Sequence, residues 1–184
     1  VFLSSFNHAK YLREAIDSAL GQSFTDFELI IWDDASSDES WAIINSYADP
    51  RIRKFRNDVR RRGVYGLNKA VSELAVGEYI AIHHSDDVWH ADKLERQVSF
   101  LAAHPDVGAV FSSAFAIDDE GRLLDEDHLY QNIFDQRNRT RHEWLHFFFY
   151  GENVLCHPSV LVRKSCYHDC GLYRFGFGQI GDLD

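Results

Sequence analysis

Residues 79–89 read Tyr-Ile-Ala-Ile-His-His-Ser-Asp-Asp-Val-Trp, an apolar, β-prone run that stops at two histidines and two adjacent carboxylates. Buried strands seldom end in paired acids unless a ligand requires them there. Two like charges side by side repel each other, and a divalent cation between them makes the pair favourable. The stretch therefore predicts a buried strand over 78–83 whose carboxyl end carries a site for a cation or another polar ligand.

A second strand with an acidic end lies upstream. The run Phe-Glu-Leu-Ile-Ile-Trp at 27–32 leads directly into Asp-Asp-Ala-Ser-Ser-Asp at 33–38. Open α/β sheets bind ligands in the crevice outside the carboxyl ends of their strands. Two strands with acidic ends therefore predict an α/β sheet with a polar ligand across its carboxyl edge.

Periodicity extends this pattern along the chain. Apolar residues at helical spacing predict helices over 9–20, 38–48, 66–75, 92–104 and 141–150, and apolar runs predict strands over 1–5, 51–56, 107–117 and 154–162. Strands and helices alternate through the first two thirds, so a mainly parallel sheet flanked by crossover helices is expected. The aromatic run 144–150 is far shorter than the roughly 20 apolar residues of a membrane span, and we expect it to be a buried helix and no span.

Length and charge limit the function classes. The 184 residues suffice for one domain with a sizeable core, and a formal net charge of −10 argues against a nucleic-acid binder, which usually carries a basic face. An anionic substrate would need local help from a metal or from helix N-termini. The residues after the first strand, Ser-Ser-Phe-Asn-His at 4–8, lack the glycines of a dinucleotide-binding turn or a P-loop, which excludes both readings.

Three cysteines, at 156, 166 and 170, do not make a disulfide framework, and this pattern predicts a reducing, cytoplasmic location. Cys166 and Cys170 flank His168, which fits either a zinc site without an evident fourth ligand or ordinary thiols on one helical face. The chain contains no methionine and opens within a predicted strand. We expect it to be a domain cut from a longer protein.

Each candidate site residue has a plainer alternative. Asp33 and Asp34 can accept hydrogen bonds from a base N–H or a ribose hydroxyl; the alternative is that Asp33, Ser36 and Asp38 only cap the next helix. Asp86 and Asp87 can hold Mg²⁺ or Mn²⁺ against a pyrophosphate, or they can lie in an exposed loop before the next helix. Of the histidine pair at 83–84, one side chain is expected to point into the core.

The arginine run 60–62 and His157 also have both a functional and a structural interpretation. The arginine run 60–62 can neutralise phosphates, although such runs are more often solvated surface patches. His157 lies in a break within a strand-like run, where a histidine is usually a satisfied core residue.

Several short motifs together resemble the family 2 inverting glycosyltransferases, which have the GT-A fold. The resemblance covers essentially the whole chain and rests on these stretches: 4–7 (Ser-Ser-Phe-Asn), 11–18, 21–24, 33–38, 77–80, 84–87 (His-Ser-Asp-Asp), 157–160 (His-Pro-Ser-Val) and 181–182 (Gly-Asp). It implies a Rossmann-like, mainly parallel sheet with a nucleotide-binding part at about 1–118 and an acceptor-side part at about 119–184. The whole of 1–184 would be the catalytic domain.

The resemblance also implies roles for individual residues. Asp34 would bind the nucleobase, with Ser4 and Phe6 against it. Asp86 and Asp87 would handle the ribose, the metal and the diphosphate.

The reaction itself would depend on a residue near the end of the sequence. Asp182 would be the general base that deprotonates the acceptor hydroxyl in a single in-line displacement. His84 and His157 are further candidates beside the site. The cofactor would be Mn²⁺ or Mg²⁺.

The implied donor is a nucleotide-diphosphate sugar, with uridine nucleotides the family default. The implied acceptor is a glycan, a lipid-linked molecule or a protein, in surface polysaccharide or glycan synthesis. Two positions depart from the family pattern, since His84 replaces the first aspartate of the DXD motif and Gly181 replaces a glutamate.

These departures keep an alternative open, namely a catalytically inactive nucleotide- or carbohydrate-binding module of a larger protein. A hydrolase or phosphotransferase built on the paired acids is a weaker rival, because the sequence offers no activated nucleophile.

Overall fold

The computed structural model describes residues 1–125, 132–151 and 153–174. Within them six strands form one sheet: β1 (Phe2–Ser5), β2 (Leu29–Asp33), β3 (Ile52–Arg56), β4 (Tyr79–His84), β5 (Ala109–Val110) and β6 (Leu161–Arg163). The α-helices are α1 (Ala9–Leu20), α2 (Ser40–Ser46), α3 (Gly63–Lys69), α4 (Lys93–Ala103), α5 (Arg141–Tyr150) and α6 (Lys164–Cys170). A π-helical turn, Ala70–Leu74, continues α3, and a 3₁₀ turn, His157–Ser159, precedes β6.

The sheet has the order β3-β2-β1-β4-β6-β5 and is mostly parallel. Strand β1 pairs in parallel with both β2 and β4, β2 pairs in parallel with β3, and β6 runs antiparallel to its neighbours. The predicted α/β class with a mainly parallel sheet is thus confirmed. Because the first four strands run the same way, their carboxyl ends meet at one edge.

Alternation along the central strands decides which helix covers which face. Leu3 and Ile31 point toward α1 and α2, whereas Phe2 and Ile30 on the opposite face point toward α3 and its π turn. All of these side chains are at most 4% exposed. The sheet is buried on both faces, as parallel sheets are, so only its edges remain open to a ligand.

Helix α3 lies unusually close to the sheet at Gly66. A Cβ built on Gly66 would lie 2.6 Å from Cγ of Trp32, which is itself stacked on Phe55. Glycine is therefore required by this approach rather than by its backbone angles.

Several element boundaries correct the expectations from sequence. The predicted strand 107–117 is reduced to Ala109–Val110 plus an isolated bridge from Ile117 to Leu123, and the 154–162 run contains the 3₁₀ turn before β6 begins. Helix α2 is shorter than predicted, and α3 begins three residues earlier. The proline of the 3₁₀ turn lacks the N–H that a strand ladder needs, which explains the break.

The aromatic helix was predicted to be buried, and this prediction was wrong. Helix α5 has no buried residue, with Leu145 58%, Phe149 80% and Tyr150 75% exposed. Its apolar side chains are distributed around the helix instead of forming one stripe, so no single face can be buried against the sheet. A Thr140–Glu143 capping box fixes its N-terminus.

Candidate functional site

The carboxyl edge of the sheet brings the predicted site residues together. Strands β1, β2 and β4 end side by side, with Ser5 opposite Asp33 and Ser4 opposite His84 in the strand register. The segments that follow each strand therefore meet over the same edge, as the two acidic strand ends predicted.

Reciprocal hydrogen bonds lock the turns after β1 and β2 to each other. Asn7 donates its backbone N–H to Ser36 Oγ at 3.0 Å, and Asn7 Oδ1 accepts the N–H of Ser37 at 2.8 Å. Asn7 and Ala35 both have left-handed backbone angles, with φ of 54° and 63°. Such angles are sparsely populated for residues other than glycine and are retained where surrounding contacts impose them, often at ligand sites.

Asp33 and Asp38, two acids of the segment 33–38, have structural roles. Asp33 is fully buried, where its Oδ2 lies 3.2 Å from Arg56 Nε and accepts the Ser36 N–H. Asp38 accepts the N–H groups of Ala9 and Ser40 at 3.0 Å each. Burial raises the pKa of Asp38, but these hydrogen bonds outweigh it and hold that pKa below its usual value. The capping alternative therefore describes Asp38, and Asp33 is a buried anchor.

Asp34 fastens the loop that follows β3. Its Oδ1 accepts hydrogen bonds from Asn57 Nδ2 and from the backbone N–H of Arg61, and its Oδ2 accepts the N–H of Arg62, each at 2.7 Å. Asp34 is 6% exposed. A carboxylate offers about four acceptor positions, so these three bonds leave room for one more donor on Oδ2.

The arginine run contributes in a way that sequence reasoning missed. Arg61 and Arg62 supply backbone N–H groups to Asp34 while both side chains stay exposed. The guanidinium of Arg60 lies 3.9 Å from the ring centroid of Phe6, which is partly exposed at the end of β1. This cation–π pair adjoins the loop that binds Asp34, because Arg60 directly precedes Arg61 in the chain.

The end of β4 carries a cluster with the composition of a metal site. One ligand atom from each of His84, Asp86 and Asp87 lies within 4.8 Å of the other two. Burial raises the pKa of the Asp87 carboxyl, and the neighbouring charge of Asp86 adds to the effect although His84 opposes it. A divalent cation would relieve both costs, so the donor set fits such an ion. Within residues 1–125, 132–151 and 153–174 no other such group occurs, and Cys166, Cys170 and His168 do not form one.

The histidine pair separates as predicted, with one ring on each face of the strand. His83 is fully buried, lies 3.0 Å from the Ala15 carbonyl oxygen through Nε2, and stacks on Trp89 with ring centroids 4.2 Å apart. Burial lowers the pKa of His83 to about 3, so it is neutral. His84 faces the site, where Nδ1 lies 3.8 Å from Asp87 Oδ2.

Two more histidines lie near the cluster: His157, which was already a candidate from the sequence, and His8, which the sequence had not singled out. His8 Nδ1 is 2.9 Å from Ser85 Oγ and 3.8 Å from Asp86 Oδ2. His157 lies with its ring centroid 5.6 Å from that of His84, and its Nε2 is 3.1 Å from the hydroxyl of Tyr173. His8 follows Asn7 at the start of α1, and this position after the first strand was the only available signal.

A buried lysine holds the His157 turn in place. Lys93 Nζ donates to Gln97 Oε1 at 2.8 Å and lies 4.0 Å from the Trp89 ring centroid. Gln97 in turn donates to the Ser159 carbonyl at 2.8 Å, and Trp89 Nε1 donates to the Pro158 carbonyl at 3.3 Å. Burial lowers the pKa of Lys93 to about 7. Helix α4 therefore positions the turn that carries His157 beside the metal-type cluster.

Asp182, the predicted general base, lies outside the described residues. In the part of the chain that the structure describes, no helix is both long and apolar enough to cross a membrane.

Comparisons with known proteins identify several that resemble this chain in sequence or in fold. The putative glycosyltransferase EpsE of Bacillus subtilis is 36% identical over 181 residues, covering 95% of this chain and 59% of its own length. S. aureus TarS 1–349 in complex with UDP superposes with a TM-score of 0.75 at 18% identity, covering 98% of this chain and 51% of TarS. The chain thus spans about half the length of these two proteins.

A mannosyltransferase shares the fold as well. PcManGT from Pyrobaculum calidifontis, solved with GDP-Man and Mn²⁺, has a TM-score of 0.68 at 20% identity over 96% of this chain and 47% of its own. These neighbours confirm the GT-A fold. The model of glycosyl transferase family 2 matches residues 1–167. With that match over most of its length, the chain belongs to glycosyl transferase family 2.

Proposed function

We propose that this domain transfers a sugar from a nucleotide-diphosphate sugar to an acceptor hydroxyl, with inversion at the anomeric carbon. The observation that carries the proposal is the meeting of two groups at one edge of the sheet. Asp34 with the Phe6–Arg60 pair forms one, and His84 with Asp86 and Asp87 forms the other. Family membership, the UDP in the TarS structure and the GDP-Man with Mn²⁺ in PcManGT support the same reading.

The first group fits a nucleobase. Asp34 Oδ2 accepts a single hydrogen bond in the structure, so it can take a base N–H as a second. The ring of Phe6, directly after β1, is partly exposed and offers a flat surface for the base, and Ser4 within β1 is also partly exposed. A uridine nucleotide is the donor we expect first.

The second group fits a divalent cation and the diphosphate. Asp86 and Asp87 would hold Mn²⁺ or Mg²⁺, with Asp86 also near the ribose. When bound, the cation stabilises the negative charge that develops on the departing nucleoside diphosphate. His8 contributes by orientation, because its contacts with Ser85 and Asp86 restrict the Asp86 side chain.

Asp182 would supply the general base. An ionised carboxylate aligned with the acceptor hydroxyl takes its proton as the hydroxyl oxygen attacks the anomeric carbon from the side opposite the diphosphate. The bond from the sugar to the diphosphate breaks in the same displacement, which inverts the configuration. His157, held by Tyr173 and the 3₁₀ turn, would line the acceptor side of the donor sugar.

The acceptor we propose is a hydroxyl of a glycan, a lipid-linked molecule or a protein, in surface polysaccharide or glycan synthesis. The donor part would be residues 1–118 and the acceptor part 119–184. The three cysteines are free thiols in the structure, which fits the cytoplasmic location proposed from composition.

Calorimetry with UDP, GDP and dTDP, each with and without Mn²⁺, tests the donor site. We expect one nucleotide to bind with Mn²⁺ and to lose most of that binding in Asp86→Ala. The control Asp106→Ala removes an exposed aspartate after α4 and should bind as the unaltered protein does. A folded protein that binds none of the three nucleotides under either condition would refute the assignment.

A second experiment separates an active transferase from an inactive binding module. Asp182→Asn should keep nucleotide binding and lose release of nucleoside diphosphate from the donor sugar in the full-length protein. Equal and negligible turnover of the unaltered protein and the variant, with intact nucleotide binding, would favour the inactive module.

A further inference from the structure

The cluster after β4 differs from an all-oxygen magnesium site in one donor. We propose that the His84 imidazole is a ligand of the bound cation and makes this site prefer transition-metal ions over Mg²⁺. The inference rests on the proposed function, because it concerns the cation of that same site.

Strand geometry fixes His84 toward the cluster. His84 is the last residue of β4 and pairs with Ser4 of β1, so its backbone position is set by the sheet. His83 occupies the core face, and alternation therefore forces the next ring to the opposite face. The His84 side chain is 37% exposed, leaving its ring accessible to an ion at the edge.

The distances favour a shared ion over a simple ion pair. His84 Nδ1 lies 3.8 Å from Asp87 Oδ2, too far for a hydrogen bond, while ligand atoms of His84, Asp86 and Asp87 stay within 4.8 Å of one another. Donor atoms on one ion lie up to about 4.2 Å apart when each bond to the ion is about 2.1 Å, so the 3.8 Å separation of His84 Nδ1 and Asp87 Oδ2 is compatible with a shared ion. The His157 ring also lies near His84, with the two ring centroids 5.6 Å apart.

The donor set then determines the preference. Mg²⁺ strongly favours oxygen ligands and keeps several of its waters, whereas neutral imidazole suits ions such as Co²⁺, Ni²⁺ and Zn²⁺. Mn²⁺ accepts both nitrogen and carboxylate donors. One imidazole beside two carboxylates should therefore favour Mn²⁺ and Co²⁺ over Mg²⁺, and a third carboxylate in its place should reduce that preference.

Binding of the metal alone tests this inference without any turnover. Mn²⁺ is added to the protein and followed by electron paramagnetic resonance, with Mg²⁺ as competitor, and electron spin echo modulation reports any nitrogen ligand. We expect imidazole nitrogen coupling in the unaltered protein, and we expect Mg²⁺ to displace Mn²⁺ only at a concentration at least about tenfold higher.

Three variants sharpen the result. His84→Asp should remove the nitrogen coupling and bring the two ions closer in affinity, and His84→Asn should remove the coupling without adding a charge. His142→Asp makes the same exchange in the exposed first turn of α5, where an acid suits the helix N-terminus, and should change neither readout. Circular dichroism confirms that each variant is folded.

Three results would overturn the inference that His84 is a metal ligand. Nitrogen coupling that is absent in the unaltered protein, or that persists in both His84 variants, overturns the inference. So does a protein that binds no Mn²⁺ at all. In any of these cases, nucleotide binding measured by calorimetry would still support the proposed donor site. If calorimetry detected no nucleotide binding, the proposed function itself would be refuted.

Discussion

Lys93 lies in α4, which positions the His157 turn. Methionine is similar to lysine in length, so Lys93→Met removes the buried ammonium group and keeps most of the side-chain volume. The partners of Lys93 are an amide and an indole ring, not a carboxylate. Lys93 is 8% exposed, and burial lowers its pKa from 10.5 to about 7. The folded protein therefore disfavours the charged form of this lysine, and stability should depend on pH through it.

The sign follows from proton counting. Between pH 7 and about 10.5 the unfolded chain keeps a proton on Lys93 that the folded protein has lost. The free energy of unfolding therefore rises with pH across this window, by up to about 1.4 kcal/mol per pH unit and roughly 5 kcal/mol in all. Below pH 7 both states carry the proton, so the full penalty is present there.

Methionine removes this penalty but also the hydrogen bond to Gln97, which is worth about 1–3 kcal/mol when a buried acceptor loses its partner. We expect Lys93→Met to be roughly 2–4 kcal/mol more stable than the unaltered protein at pH 6. Near pH 10 about 0.8 kcal/mol of the penalty remains, so the order should reverse with the variant roughly 0.2–2 kcal/mol less stable.

Urea unfolding of both proteins, followed by circular dichroism from pH 6 to pH 10, measures the difference directly. Lys69→Met serves as the control, because it removes an ammonium whose side chain is 41% exposed beside Glu73. A difference between Lys93→Met and the unaltered protein that stays constant across this pH range would refute the reasoning.

Three further perturbations test other parts of the structure. Asp34→Asn leaves the Arg62 N–H facing an amide donor and should lower the free energy of unfolding by about 1.5–3 kcal/mol in urea; an unchanged midpoint contradicts the loop anchor. Gly66→Ala should destabilise by about 1–3 kcal/mol, because its methyl group would collide with Trp32, and wild-type thermal stability would disprove the close approach. Asp87→Asn should raise the urea midpoint of the metal-free protein, since burial and the neighbouring charge of Asp86 disfavour the Asp87 carboxylate. It should also abolish any rise in Tm on adding Mn²⁺, and a Tm that still rises by the wild-type amount would show that Asp87 does not hold the ion.

Sequence patterns were sufficient where a short-range rule determines the structure. The strand that ends at His84 was predicted from its apolar run, and the split of the two histidines follows from side-chain alternation alone. The meeting of the two acidic segments follows from parallel strands that share a carboxyl edge. These parts of the site depend on local pattern and on one topological rule.

The remaining features depend on contacts between distant segments. Asp34 was expected to face a ligand, yet it also holds the loop at 57–62 through backbone N–H groups, which no residue type encodes. His8 contacts Ser85, which is 77 residues away in the sequence, and Tyr173 contacts His157, which is 16 residues away. The exposure of α5 was missed because an aromatic run indicates burial only where a neighbouring surface is available to cover it.

A crystal structure with UDP and Mn²⁺, with anomalous scattering used to locate the metal, would test the proposed donor site directly. We predict a manganese peak in ligand contact with Asp86 or Asp87 and a uracil ring beside Phe6 within hydrogen-bond reach of Asp34. A nucleotide bound away from the carboxyl edge of the sheet, or a manganese peak remote from both aspartates, would contradict it.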